Sequence, residues 1–234
     1  SSQIGCAADC AFCATGRMGL VRNLSTAEIL DQIILAMRVL RAEERVLRNV
    51  VFMGMGEPFH NEKAVCDSLE VLRDVRGCNL SERHLLVSTA GVPKSMLRFV
   101  ERFPKIRVAL SLHSARQEVR ERIMPIASHH SLKQWCNSLP ELARHGNLMI
   151  EILLLQGVND GPADLAALID YLHGLPVHIN LIQFNPFPGS GFEPVPRAAR
   201  EAFGVALRKA GFKVTLRYSL GDDIAAACGQ LAGV

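Results

Sequence analysis

Apolar positions along the chain switch repeatedly between two spacings. Between residues 25 and 42 they recur at helical intervals, at Ile29, Ile33, Met37 and Leu40. Ser25 and Glu28 supply a capping box at the start of that helix. Asn49 to Met53 is then a short β-rich run, and Val65, Leu69 and Leu72 mark a second helix. His84 to Ser88 predicts a strand, residues 94–103 a helix, and Ile106 to Leu112 another apolar strand. Leu132, Trp135, Cys136 and Leu139 form a helical stripe, with Pro140 placed to kink or break it. Leu148 to Leu155 is almost wholly apolar, as a strand buried on both faces requires. Leu165, Leu168, Ile169 and Leu172 give a helix ended by Gly174 and Pro176. Val177 to Phe184 reads as a strand. Pro196 opens a helix that stops at Gly211, and Phe212 to Tyr218 closes as a strand.

This alternation predicts about six parallel strands joined by helices, because each helix can bury its stripe on the sheet. The fold class is α/β, and an open or closed βα barrel fits better than two domains. No long Pro/Gly/Ser linker interrupts the rhythm, so residues 1–234 are expected to form one domain. The strand ends carry the unusual residues: Gly54-Met55-Gly56-Glu57-Pro58, Ser88-Thr89, Ser111-Leu112-His113, Gly157 with Asn159 and Asp160, and Asn185-Pro186-Phe187-Pro188-Gly189. In a βα barrel these positions share the face on which loops build an active site.

Composition narrows the class. Hydrophobic residues make up 49% of the 234 and charged residues 21%, with a mean hydropathy of +0.16. That excludes a disordered chain. No segment reads as membrane-spanning, since Asp31, Gln32 and Arg38 interrupt the most apolar helix, and no signal peptide is visible. The net charge of +3 neither requires nor excludes a nucleic acid, since a binder neutralises about 6–10 phosphates. Arg17, Arg22, Lys94, Arg98, Arg116, Arg120 and Arg122 are candidate phosphate contacts, each balanced against ordinary solvated charge. Seven cysteines are an odd number for a disulfide framework. A cytoplasmic protein with one metal-binding cluster is the expectation.

Cys6, Cys10 and Cys13 offer three thiolates on one short loop. A structural zinc needs four ligands, and an iron–sulfur cluster normally takes four thiolates. Three leave one iron open for an exogenous ligand. A zinc knuckle and unligated buried cysteines are the competing readings. Cys66 and Cys136 sit on helix stripes and read as core packing, and Cys78 falls in a loop with no assigned role.

With Phe12 before the third cysteine, the triplet resembles the radical S-adenosylmethionine (SAM) superfamily. The ordered blocks go further and resemble the RlmN/Cfr family of RNA methyltransferases. They are Ser2-Gln3-Ile4-Gly5-Cys6, Cys13-Ala14-Thr15-Gly16, Arg22-Asn23-Leu24, Gly54 to Pro58, Ser111-Leu112-His113, Gly157-Val158-Asn159-Asp160, Asn185 to Gly189, Gly221-Asp222-Asp223-Ile224, and Ala226 to Leu231 around Cys228. They span residues 1–231.

The resemblance implies a partial (βα)6 TIM-type barrel with a [4Fe–4S] cluster on Cys6, Cys10 and Cys13. SAM would chelate the open iron, its amino group at Gly56 and Glu57. Ser88, Ser111, Leu112, His113 and Asn185 match further SAM-contacting positions. Cys228 matches a cysteine that one SAM methylates. A second SAM, cleaved to a 5′-deoxyadenosyl radical, would activate that methyl for addition to an adenine ring carbon. The implied partners are an RNA substrate, with ribosomal RNA, transfer RNA or both left open, and an electron donor such as flavodoxin or ferredoxin. A monomer is expected.

The family's second catalytic cysteine and its N-terminal RNA-binding domain would precede Ser1, so the chain reads as part of a longer protein. Leu220 and Ser114 depart from the usual RlmN residues, which leaves carbon two and carbon eight of adenine both open. The alternatives are a radical SAM enzyme with a non-RNA substrate and a zinc-bound RNA-binding module.

Overall fold

The computed structural model describes residues 1–144, 146–218 and 221–232. Leu220 lies outside them. The chain opens with a small antiparallel hairpin, β1 (Gln3–Gly5) against β2 (Leu20–Asn23), and the cysteine loop with helix α1 (Ala14–Arg17) is inserted between its strands. Helix α2 (Thr26–Ala42) follows, its start fixed by the Ser25–Glu28 capping box. Ile29 and Ile33 of its stripe are buried, whereas Met37 is exposed.

Six strands then alternate with helices. They are β3 (Val50–Phe52), β4 (Leu85–Thr89), β5 (Arg107–Ser111), β6 (Leu148–Leu154), β7 (His178–Gln183) and β8 (Lys213–Arg217). All neighbours pair in parallel in chain order, β3 to β8. The connecting helices are α3 (Glu62–Arg73), α4 (Pro93–Arg102), α5 (Gln117–Ile123), α6 (Leu132–Ala143), α7 (Pro162–Leu172) and α8 (Arg197–Lys209). The sheet is therefore the predicted α/β partial barrel, with β3 and β8 as its edges. The first hairpin docks on the β3 edge, where the Ser2 N–H donates to the Met55 carbonyl at 2.9 Å.

The core lies between sheet and helices. Leu69, Leu110, Trp135, Ile150 and Leu181 are fully buried in one continuous cluster. Truncating one such leucine to alanine costs about 2–5 kcal/mol. A second cluster joins the cysteine loop to the barrel mouth: Ala8 packs with Ile123, Met124, Leu155 and Phe184.

Several expectations change. Helix α6 runs through Pro140 to Ala143 instead of breaking. Cys136 is exposed rather than core, while Cys66 is buried as expected. The α5 helix and the β1–β2 hairpin were not foreseen. No helix among the described residues is long and apolar enough to cross a membrane.

Candidate functional site

A cavity of about 980 Å³, including its open mouth, lies at the C-terminal ends of the strands. Cys6, Cys10 and Cys13 line one wall, Gly56, Glu57, Ser88, Ser111 and His113 another, and Cys228 its rim. Residues at the ends of β3, β4 and β5 and all four cysteines singled out in the sequence thus converge on one space, whereas Gly157, Asn159, Asp160 and Asn185 to Gly189 lie outside its lining. Leu112 does not line it either.

The hairpin presents the cysteines as a loop braced at several points. Ala11 N–H donates to the Ile123 carbonyl at the end of α5 (2.9 Å), and Cys13 N–H donates to the Cys10 carbonyl (3.0 Å). The Ala8 N–H points at the Cys6 sulfur at 3.4 Å. Burial pushes the Cys6 thiol up to about 11, with the neighbouring Glu57 and Cys13 charges adding to it. The Cys10 thiol is also raised, by burial and then by Cys13 and Cys6. Buried thiols raised in this way need a cation to become thiolates, and an iron centre provides one. Among the described residues no three His, Cys, Asp or Glu side chains close on a single-ion point. The three cysteines instead line the wall of one shared cavity, which has room for a group larger than a single ion.

Gly56 and Glu57 owe their identities first to the protein. Gly56 adopts φ +97°, and a Cβ there would come within 2.5 Å of the Gln3 side chain, so only glycine fits. Gln3 Oε1 in turn accepts the Glu57 N–H at 2.8 Å. The Glu57 carboxylate is buried and already holds three donors. Its Oε1 accepts the Phe59 N–H (2.9 Å) and the Thr89 hydroxyl (2.7 Å), and its Oε2 the Ala90 N–H (2.6 Å). Burial raises its carboxyl despite these donors. It fastens the end of β3 to that of β4 beneath the cavity.

A second buried carboxylate escaped the sequence reading. Glu151 on β6 lines the cavity, and Ser88 on β4 donates to its Oε2 at 2.6 Å, reaching across β5 along the concave sheet. Ser111 and Asn180, its register partners on β5 and β7, flank it and favour its charged form. Its Oε1 is buried without a partner, and burial raises its carboxyl. Glu151 is the one charged residue in the apolar run Leu148 to Leu155, a signal that marks it in the sequence.

His113 has a left-handed backbone (φ 58°), which costs a non-glycine residue about 1–3 kcal/mol. The fold holds it there. Asn159 Nδ2 donates to its carbonyl at 2.8 Å, and its Nδ1 accepts the Leu153 N–H at 3.1 Å. Its ring meets Phe12 edge-on with centroids 4.8 Å apart. Burial, then the charge of Arg120, pushes the imidazole down to about 3, so it is neutral. Leu112 turns its side chain into the core. Its N–H donates to the Glu151 carbonyl (3.1 Å), and its own carbonyl accepts from Arg120 (3.1 Å).

The C-terminal segment closes the site. Asn185 Nδ2 donates to the Cys228 carbonyl at 2.9 Å, Ala14 N–H to the Gly229 carbonyl at 2.7 Å, and Thr15 Oγ1 to the Leu231 carbonyl at 2.5 Å. These bonds set Cys228 beside the cysteine loop. It also borders a second, outer cavity with Met53, Arg217 and Tyr218. Cys228 is exposed at this rim, yet partial loss of hydration against the site, then the Glu151 charge, pushes its thiol up to about 11.

The candidate phosphate contacts are mostly occupied. Arg22 pairs with Glu28, Arg98 with Glu62, and Arg116 with Glu118 and Asp164. Arg17 lies over the Phe187 ring. Arg120 is fully buried, which removes it from any RNA surface.

The comparisons agree with this geometry. Residues 1–170 match the family model described as the radical SAM superfamily. The chain is 49% identical over 99% of its length to a probable RNA methyltransferase of Rhodopirellula baltica, of which it covers 62%. It is 40% identical over 99% of its length to the dual-specificity RNA methyltransferase RlmN of Caulobacter sp., covering 59%. The chain thus spans about three-fifths of these relatives. The crystal structure of a radical SAM methyltransferase from Sphaerobacter thermophilus superposes with a TM-score of 0.94 at 37% identity, covering 98% of this chain and 68% of that one. The matched cysteine loop and this near-complete superposition together show that the chain belongs to the radical SAM superfamily.

Proposed function

We propose that this chain is the catalytic part of a radical SAM methyltransferase that modifies an adenine ring carbon in RNA through a methylated Cys228. The observation that carries this reading is the position of Cys228, on the boundary between the cysteine-lined cavity and the outer cavity. A thiol there can meet a methyl donor on one side and a base on the other. The relatives' names supply the RNA and give no support to a zinc-bound module or a non-RNA substrate.

Radical SAM proteins use a [4Fe–4S] cluster and SAM, and the donor set fits both. Cys6, Cys10 and Cys13 would hold the cluster. When bound, it supplies the electron that cleaves SAM, drawn from a low-potential donor such as flavodoxin or ferredoxin. Gly56, Glu57, Ser88, Ser111 and His113 form the wall against which SAM would lie, and Leu112 supports it from the core. Asn185 acts on this site through the Cys228 backbone. The substrate is an RNA: ribosomal RNA, transfer RNA or both. Anaerobic reconstitution with SAM and an RNA fragment, followed by nucleoside mass analysis, tests the reading: a methylated adenine carbon supports it, and unmodified RNA with a fully loaded cluster opposes it.

A further inference from the structure

Arg120 is a charge without a counter-charge. It sits on α5, has no exposed surface, and among the described residues makes no ion pair. Its guanidinium instead donates to three backbone carbonyls, Leu112 (3.1 Å), Ala90 (3.1 Å) and His130 (3.3 Å). Carbonyl dipoles satisfy donors but do not neutralise a cation, and a buried, uncompensated charge costs several kcal/mol.

The surroundings show where the missing anion belongs. One turn along α5, the Ile123 carbonyl accepts the Ala11 N–H, between Cys10 and Phe12. Ile123 also packs against Ala8 of the cysteine loop. The anionic or ionisable groups nearest this charge do not supply a partner for it, and neighbouring His113 is kept neutral. Glu121 is exposed and bonded to Gln117. The Tyr171 hydroxyl donates to the Leu132 carbonyl and is held neutral by burial. The guanidinium itself reaches the cavity, because the Ala90 carbonyl that it holds belongs to a residue lining the same space as Cys6, Cys10 and Cys13.

Taking the cluster assignment above as given, we propose that Arg120 is the buried counter-charge of the cluster held by Cys6, Cys10 and Cys13, and that it raises the cluster's reduction potential. Three thiolates make the ligated cluster anionic, and uptake of one electron from the external donor makes it more so. A fixed cation in a poorly screened interior stabilises the reduced form most, and net charge around a cluster is one of the quantities that sets its potential. By tying Ala90 and Leu112 together, the same guanidinium also aligns the cavity wall. Arg120 is thus a positioning residue that acts through the cluster.

The test compares Arg120→Gln, which keeps donors but loses charge, with Arg120→Lys, which keeps charge but loses the planar fork. Each reconstituted full chain is titrated electrochemically, with the reduced cluster read by electron paramagnetic resonance. Arg120→Lys is expected to titrate with the parent. Arg120→Gln is expected to lower the reduced-to-oxidised ratio about tenfold at a fixed potential, a shift of about 59 mV for one electron. Loss of iron and sulfide in Arg120→Gln alone also supports the counter-charge. Arg120→Gln titrating with the parent, equal shifts in both variants, or loss of the cluster in both would overturn it. A parent chain that takes up no iron and sulfide overturns the cluster assignment as well.

Discussion

The Asn185 side chain holds the backbone of Cys228, its Nδ2 donating to the Cys228 carbonyl at 2.9 Å across 43 residues of sequence. The bond joins the end of β7 to the C-terminal segment. Removing it leaves the Ala14–Gly229 and Thr15–Leu231 bonds in place, so the segment stays docked while Cys228 loses its aim. Asn185→Ala should keep full iron and sulfide content and slow methylation of Cys228 about tenfold, about 1.4 kcal/mol of barrier. An unchanged rate of methyl incorporation by mass spectrometry would contradict this role.

Glu57→Gln should destabilise the barrel mouth. The carboxylate accepts from Phe59, Thr89 and Ala90 with both oxygens. An amide keeps one oxygen and turns N–H against one of those donors, leaving a buried group unsatisfied at about 1–3 kcal/mol. A urea midpoint lowered by the equivalent amount is the expected result, and an unchanged midpoint would show that the network does not hold β3 to β4.

Much of this was legible in the sequence, and the failures have physical causes. Strands β4 to β7 and most helices announce themselves because each buries most of a face, so apolar residues are enforced along them. The β1–β2 hairpin does not, since β2 is exposed along its whole length and its pairing is dictated by the loop it carries. Glu151 hid in an apolar strand because a barrel interior tolerates an inward polar residue where partners on adjacent strands meet it. Arg120 looked like one more cation in a basic stretch. Its helix face, shared with Val119 and Ile123, is the buried one. Cys136 looked like core by its spacing but falls on the outer edge of the α6 stripe.

The neutral state of His113 makes stability depend on pH. Its folded value is about 3 against an ordinary 6.5, so between these the unfolded chain binds a proton that the folded chain does not. Its contribution is whole above pH 6.5 and is lost as pH falls through that window, by at most about 1.4 kcal/mol per unit. Burial raises Glu57 and Glu151, which act in the opposite sense, so the contribution is read as a difference. In the cluster-free chain, His113→Gln should show a weaker loss of unfolding free energy between pH 6.5 and 5 than the parent. Parallel curves would contradict it.

Cys10→Ala should separate the two cysteine roles. Without one of three ligands the chain is expected to lose its brown colour and most of its iron and sulfide, measured by metal and sulfide analysis. Cys228→Ala should retain both. Equal iron content in the two variants would contradict the division of the thiols into cluster ligands and methyl carrier.

The most direct test of the central claim is the state of Cys228 itself. The chain is reconstituted anaerobically with iron and sulfide, incubated with SAM, digested, and its cysteine peptides weighed. The account predicts one added methyl on the Cys228 peptide and none on those of Cys66, Cys78 or Cys136. An unmodified Cys228 peptide in a chain that carries its full cluster would contradict it.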